Sequence, residues 1–239
     1  MKFYRYFIDG IPDYLARHYW WAYLWRPAAW FFDHQIIINA ILFGQYKKLM
    51  NITMNQLENT PNENVLQLTC VYGNLTPNIL NKISPHSLHL TDVALIQLEC
   101  ARAKVPNDGR LLTTRMNAEQ LGYKDNAFST IVLFFLLHEM PFEARRRTLS
   151  ECMRVLSCGG SLLLTEYAEL PSKHFLYRFP ATRFIISRLE PFITGFWEED
   201  LTQLLCEAGK PYGKSVIVVS HNPVFFDFYR VTEFKICDL

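Results

Sequence analysis

The residues of this 239-residue chain that are able to do chemistry mostly follow short apolar runs. His138 and Glu139 are adjacent, just beyond Thr130–Phe135. Such a pair can supply one nitrogen and one oxygen to a hard divalent cation, or work as a general acid and base. The same two residues can equally be a helix-start histidine and a capping glutamate. Asp92 closes another apolar run, 25 residues beyond Gln67. In nucleotide-binding βαβ units the ribose-binding acid stands about 20 residues on, and the alternative for Asp92 is a plain helix N-cap. Cys70 is a candidate nucleophile, but no basic partner stands near it in the sequence to generate a thiolate. The six cysteines form no C-x-x-C pair and no zinc-site spacing. Free thiols in a reducing compartment are therefore expected.

The elements that must position these residues alternate. Pro12 and Pro27 bracket a predicted helix over Asp13–Trp25, and a second runs from Pro27 to Met50. Asn51–Asn64 reads as a helix end plus loop. Apolar strand-length runs then precede helical patterns: Val65–Thr69 before a helix from Thr76, Ser87–Thr91 before Val93–Ala103, and Thr130–Phe135 before Phe142–Leu156. Arg110–Thr114 is a further strand, and Gly159-Gly160 is expected to stop the helix ahead of Ser161–Thr165. This order argues for a parallel sheet covered by helices on both faces. The tail changes character: Glu198–Ala208 is helical, and Lys214–Ser220 with Tyr229–Lys235 must pair as a hairpin.

Composition excludes several classes. Half the residues are hydrophobic and 20% are charged, so a sizeable core is available. A net charge of +1 provides no basic excess for nucleic-acid binding. The start, MKFYRYFIDG, has charges where a signal peptide needs an apolar run, and no stretch is apolar enough to be expected to span a bilayer. Charge is uneven, however. Residues 1–56 and 171–190 together hold ten Lys/Arg against four acids, and 1–56 also hold four of the five tryptophans. Basic, aromatic-rich segments suit a peripheral membrane surface, and equally a packed helix with a charged rim. The expected division is an N-terminal aromatic lid or membrane-interface segment over 1–56 and a main domain over 57–239 with a helical insertion at 171–190.

Five parallel strands and a terminal antiparallel hairpin resemble the S-adenosylmethionine-dependent methyltransferase fold, a Rossmann-like α/β sheet, here with N-terminal aromatic helices. Four landmarks carry that resemblance. VLQLTCVYGN (Val65–Asn74) stands for the glycine-rich turn, with Gln67 in place of its acid and only Gly73 kept. Asp92 stands for the ribose acid, Asn117-Ala118-Glu119 for the adenine loop, and RVLSCGGSLLLTE (Arg154–Glu166) closely matches the strand-five signature. The degraded glycine turn also fits a catalytically dead relative kept as a scaffold.

CVYG at Cys70–Gly73, HYWWAY at His18–Tyr23, ILFGQY at Ile41–Tyr46, FFLLHE at Phe134–Glu139 and LEPF at Leu189–Phe192 further resemble the rhodoquinone-biosynthesis (RquA) family. Glu166-Tyr167 departs from it, Asp-Tyr being commoner there. The resemblance implies conversion of ubiquinone to rhodoquinone, an amino group replacing a ring methoxy. It also implies that S-adenosylmethionine donates the amino nitrogen and that manganese assists. The implied cofactor residues are Gln67, Thr69, Cys70, Tyr72, Gly73, Asp92, Val93, Gln97, Asn117 and Ala118. His138 and Glu139 are the candidate metal ligands or catalytic pair, and Tyr167 is expected at the same rim, orienting the quinone. His18 with Tyr19, Trp20 and Trp21 is a candidate lid. A lipophilic substrate implies a peripheral location, on the cytoplasmic side of the inner membrane or the matrix side of a mitochondrial one. The rivals are a conventional methyltransferase on a quinone precursor and a non-catalytic quinone-binding subunit.

Overall fold

A computed structural model describes residues 10–168, 174 and 178–239; the expected insertion lies partly outside these described residues. Among the described residues, four α-helices precede the sheet. α1 (Trp20–Tyr23) continues a π-helical turn over Leu15–Tyr19, and α2 (Arg26–Phe32), α3 (Gln35–Ile41) and α4 (Tyr46–Glu58) follow. Then come β1 (Val65–Leu68), α5 (Leu75–Lys82), β2 (Leu88–Asp92), α6 (Leu95–Ala103), β3 (Leu111–Arg115) and β4 (Phe128–Phe134). A 3-10 turn (Leu137–Glu139) leads into α7 (Phe142–Val155) and β5 (Leu156–Tyr167). The chain closes with α8 (Pro180–Leu189), α9 (Ile193–Trp197), α10 (Leu201–Gly209), β6 (Lys214–Val224) and β7 (Tyr229–Asp238).

The strands form one seven-stranded sheet in the order β3-β2-β1-β4-β5-β7-β6. β1 to β5 run parallel, and β7 lies antiparallel between β5 and β6. β1 and most of β4 are buried along their whole length, as strands covered on both faces must be. The expected α/β architecture and its terminal hairpin agree with this sheet.

The first predicted helix, Asp13–Trp25, is helical from 13 to 23 through the π-helical turn and α1, whereas the second, Pro27–Met50, is broken into α2, α3 and the start of α4. Pro27 has no N–H for the carbonyl of Tyr23, and Trp25 is extended (ψ 114°), so α2 starts afresh. His34 is extended too (ψ 128°), and Phe43 and Gly44 both take positive φ. Gly44 closes α3 by donating its N–H to the Asn39 carbonyl at 2.7 Å.

The polar stretch after Met50 is not loop until beyond Glu58. Thr53 Oγ1 lies 2.7 Å from Thr165 Oγ1 and Gln56 Nε2 donates to Ser220 Oγ at 2.7 Å, so polar side chains of α4 are satisfied against the sheet. Leu49 and Leu57 of the same helix are core residues, and the expected boundary at 56/57 falls inside α4. Gly159-Gly160 is not a helix stop either: α7 ends at Val155, and both glycines lie within β5. There β5 shifts register against β4, and a Cβ on Gly160 would sit 2.7 Å from the Ser129 carbonyl oxygen.

Lys214 locks the hairpin to this sheet. Its buried ammonium donates to Asn126 Oδ1 and to the carbonyls of Met153, Arg154 and Leu156. Removing it strands several buried acceptors, each costing about 1–3 kcal/mol. Lys214→Met is therefore expected to lose about 3 kcal/mol or more, read as a lower urea midpoint at unchanged slope.

Candidate active site

A cleft opens beyond the carboxyl ends of β1 to β4, where open α/β sheets bind ligands. Thr69 and Cys70 line it after β1, Asp92, Val93 and Ala94 at the end of β2, and Asn117 and Ala118 after β3. Gln97 of α6 and Glu139 complete the predicted residues on its wall. Tyr14, Leu15 and Tyr23 from the N-terminal segment form its roof. Asp92 is buried, and its carboxylate accepts the N–H of Ala94 at 2.7 Å and of Cys70 at 3.0 Å. Burial raises its pKa to about 6, against the lowering effect of those N–H donors. A buried carboxylate at the end of β2, lining the cleft, fits the ribose of a nucleoside cofactor.

Behind this wall the turn after β4 gathers charge. Glu166, at the end of β5, has no exposed surface; its Oε2 receives the His138 Nδ1–H at 2.8 Å and its Oε1 the Leu137 N–H at 2.6 Å. That bond leaves His138 Nε2 directed at Glu190 Oε2, 3.7 Å away. One donor atom each from His138, Glu139 and Glu190 lies within 4.8 Å of the others. An imidazole with two carboxylates, its far nitrogen fixed by a third, fits a hard divalent cation. Tyr19 donates its hydroxyl to Glu190 at 2.9 Å, and Tyr23 donates to Glu139. Burial would lower the His138 pKa, but Glu166, then Glu190 and Glu139, outweigh it and raise the group to about 9. Glu139 is raised to about 8, by burial first and then by Glu190.

Several predicted residues sit elsewhere. Gln67 is fully buried away from the cleft wall and braces the turn, Nε2 donating to the Thr69 carbonyl at 3.0 Å. Gly73 does not line the cleft, and the packing around it requires a glycine: a Cβ there would lie 2.6 Å from the Tyr46 hydroxyl, and its φ is +80°. Its N–H donates to Asp33 Oδ1 at 3.0 Å, and its carbonyl accepts from Lys104 Nζ at 2.8 Å. Tyr72 stacks on Tyr23 at 5.7 Å, accepts from Gln97 Nε2 and donates to the Ala22 carbonyl, tying down the roof. His138 lies behind the wall, and Tyr167 is packed edge-on to its ring at 4.8 Å instead of facing a rim. Burial first, and then the adjoining Asp92 carboxylate, push the Cys70 thiol well up.

Of the expected lid, only Tyr19 turns inward; His18, Trp20 and Trp21 face out. Glu190, Tyr23, Asp33 and Lys104 are the site residues that sequence reasoning missed. LEPF contained Glu190 and HYWWAY contained Tyr23, so the strings were visible, but the convergence of residues 23, 139 and 190 required the fold.

Comparison with known proteins agrees with this geometry. The family described as "Methyltransferase domain" matches residues 65–160. The demethylmenaquinone methyltransferase of Lactiplantibacillus plantarum is 30% identical over 135 residues, 55% of this chain and 56% of that protein. The ubiquinone/menaquinone biosynthesis C-methyltransferase UbiE of Wigglesworthia glossinidia brevipalpis is 23% identical over 142 residues, 58% and 56% respectively. The chain thus spans about half the length of the curated relatives it matches. Among solved structures, the N-methyltransferase NodS from Bradyrhizobium japonicum has a TM-score of 0.55 at 14% identity, covering 81% of this chain and 99% of that one. NodS is also solved with S-adenosyl-L-homocysteine, there with a TM-score of 0.52 at 13% identity, covering 80% of this chain and 86% of that one. Residues 65–160 of the chain are thus similar to the methyltransferase-domain family, and the chain has the fold of these solved methyltransferases.

The charge network makes a checkable statement about His138. Its pKa in the folded protein, about 9, lies above the ordinary 6.5. The stabilisation from its pairing is therefore full below about 6.5 and lost as pH rises through about 9. In chelator-treated protein, NMR titration should find this imidazole still protonated at pH 7.5, and Glu166→Gln should lower its pKa by at least about one unit.

Proposed function

We propose that this protein is an S-adenosylmethionine-dependent enzyme acting on a quinone ring, replacing a ring methoxy of ubiquinone with an amino group to give rhodoquinone. The observation that carries this reading is the His138–Glu139–Glu190 donor set beside the nucleoside-type cleft. Methyl transfer to carbon needs a base but no cation site of this kind. In amino-for-methoxy exchange the amino nitrogen of S-adenosylmethionine bonds the ring carbon, methoxide leaves as methanol with a proton of that amine, and the donor's Cα–N bond breaks by elimination of a neighbouring proton. The exchange needs a polarised ring carbonyl and help for the departing methoxide. A manganese ion held by His138, Glu139 and Glu190 would supply that polarisation as a Lewis acid.

The chain's own residues have separable tasks in this reading. Asp92 accepts the ribose hydroxyls, Asn117 and Ala118 border the adenine, and Thr69 and Cys70 border the amino-acid part of the donor. Glu166 holds the His138 ring in one tautomer. Tyr19 and Tyr23 hold the carboxylates of Glu190 and Glu139 by hydrogen bonds. The aromatic roof keeps water from the reacting ring. A second reading is favoured by the UbiE-type relatives: conventional C-methylation of a quinone precursor.

Mass analysis separates the readings. Purified protein with ubiquinone, S-adenosylmethionine and manganese should yield a lighter product, the amino-for-methoxy quinone. The second reading leaves ubiquinone, whose ring carbons are all substituted, unchanged and instead gives a heavier, methylated product from a precursor with an open ring carbon, with S-adenosylhomocysteine released. His138→Ala, Glu139→Gln and Glu190→Gln should each lower turnover by about 100-fold or more while keeping most of the affinity for S-adenosylmethionine. Near-normal turnover in all three would remove the donor set from the chemistry.

Asp92→Asn should instead weaken S-adenosylmethionine binding by about tenfold, as expected when a charge-assisted hydrogen bond is lost. In the wild type that affinity should also fall below pH about 6, where the Asp92 carboxylate takes up a proton.

A further inference from the structure

The roof of the cleft has an outer side, and that side is apolar. Tyr19, Ala22, Ala28 and Ala29 are buried inward, while Trp20, Trp21, Trp25 and Trp30 are exposed, Trp30 to 67%. Ile36 on α3 is 82% exposed and Phe184 on α8 is 70% exposed. The turn between β6 and β7 adds Phe226, 82% exposed.

These segments are distant in sequence but meet in space. Phe43, after α3, stacks on Phe225 of that turn with centroids 5.9 Å apart. His18 stands edge-on to Phe192, beyond α8, at 5.3 Å, and Tyr19 bonds Glu190 at the end of α8. The hairpin turn lies at the carboxyl edge of the sheet, since Tyr229 pairs with Tyr167 at the end of β5. All three therefore border the same edge, over the cleft.

Charge selects the occupant. Lys47, Lys48, Arg178 and Arg188 are exposed on or beside these segments. Two of the local acids are engaged, Asp13 with Arg17 and Asp33 with Lys104, and Asp227 is the exposed acid in the hairpin turn. A second copy packed symmetrically on this face would bring bases against bases. A surface of phosphate headgroups over hydrocarbon complements both the charge and the aromatic rings.

We propose that this edge docks on an anionic phospholipid bilayer, with Trp30, Phe184 and Phe226 at headgroup depth and the four bases on lipid phosphates. Passage of a lipophilic quinone from the bilayer to the inner side of α1 rests on the reaction proposed above; the docking itself does not.

The test uses the full chain and sedimentation with vesicles of phosphatidylcholine, with or without phosphatidylglycerol. Binding should require phosphatidylglycerol and weaken as salt rises. The triple variant Trp30→Ser, Phe184→Ser, Phe226→Ser should partition at least about tenfold more weakly, with unchanged circular dichroism and S-adenosylmethionine affinity. Lys47→Gln, Lys48→Gln, Arg178→Gln, Arg188→Gln together should do the same and remove the salt dependence.

No binding to phosphatidylglycerol vesicles, equal binding to both kinds, or a stable solution dimer split by the triple variant would each overturn the proposal. With turnover as readout, docking variants should lose activity on a long-tailed quinone in vesicles and keep it on a short-tailed soluble one. Vesicle binding with no turnover on either quinone would overturn the proposed reaction and leave the docking standing.

Discussion

The buried carboxylate of Glu166 fixes the geometry on which the site depends. It accepts the Leu137 N–H, the His138 side chain and the Tyr167 N–H, so the last residues of β5 and the turn after β4 share one anion. Arg145, also buried, answers from the other side: its Nε donates to the Leu137 carbonyl at 2.9 Å and its Nη2 to the Met140 carbonyl at 2.8 Å. The N–H groups of the turn are thus held by an anion and its carbonyls by a cation, which itself pairs with Glu199. A short 3-10 turn is weak in isolation, and here its polar backbone is satisfied from α7 and β5. His138 and Glu139 owe their positions to that satisfaction more than to the turn's own bonds.

The same logic explains a glycine turn that has lost most of its glycines. Glycines normally let such a loop wrap close to a cofactor. In this chain side chains hold the loop: Asp92 takes the Cys70 N–H, Asp33 takes the Gly73 N–H, and Lys104 takes the Gly73 carbonyl. Asp33 comes from the end of α2, so the N-terminal segment is part of the cofactor loop's support. Substitutions that look like decay in a string comparison are compensated by partners far away in sequence.

That distance sets what could be read from the sequence. The order of strands, the terminal hairpin, Asp92 and the His138-Glu139 pair follow from local patterns, apolar runs with one polar residue at their ends. The breaks in the N-terminal helices were only half visible: Pro27 marks one, but the extended His34 has no breaker beside it. Polar residues of α4 looked like loop because their partners, Thr165 and Ser220, are supplied by β5 and β6. Glu190 read as a lone acid in a basic segment, since nothing local announces that it closes on His138. Gly73 was legible as a necessary glycine, though nothing local announced that Tyr46 would be its close neighbour.

The roof joins both halves of the functional reading through one turn of helix. Tyr19, the last residue of the π-helical turn, and Tyr23, the last of α1, both reach inward to carboxylates, and Trp20 and Trp21 between them fall outside. Burial raises the pKa of both tyrosines strongly, and the neighbouring carboxylates raise them further. Both therefore remain hydroxyl donors across the physiological pH range, and their hydrogen bonds offset part of the cost of burying Glu190 and Glu139. The tryptophans have the opposite requirement, a surface with an apolar body and a polar tip within reach. The junction of the π-helical turn and α1, with Tyr19 and Tyr23 inside and the tryptophans outside, thus meets a carboxylate cluster on one side and an apolar boundary on the other. The roof cannot move without breaking the hydrogen bonds of Tyr19 and Tyr23, so opening it for a substrate necessarily loosens Glu190 and Glu139.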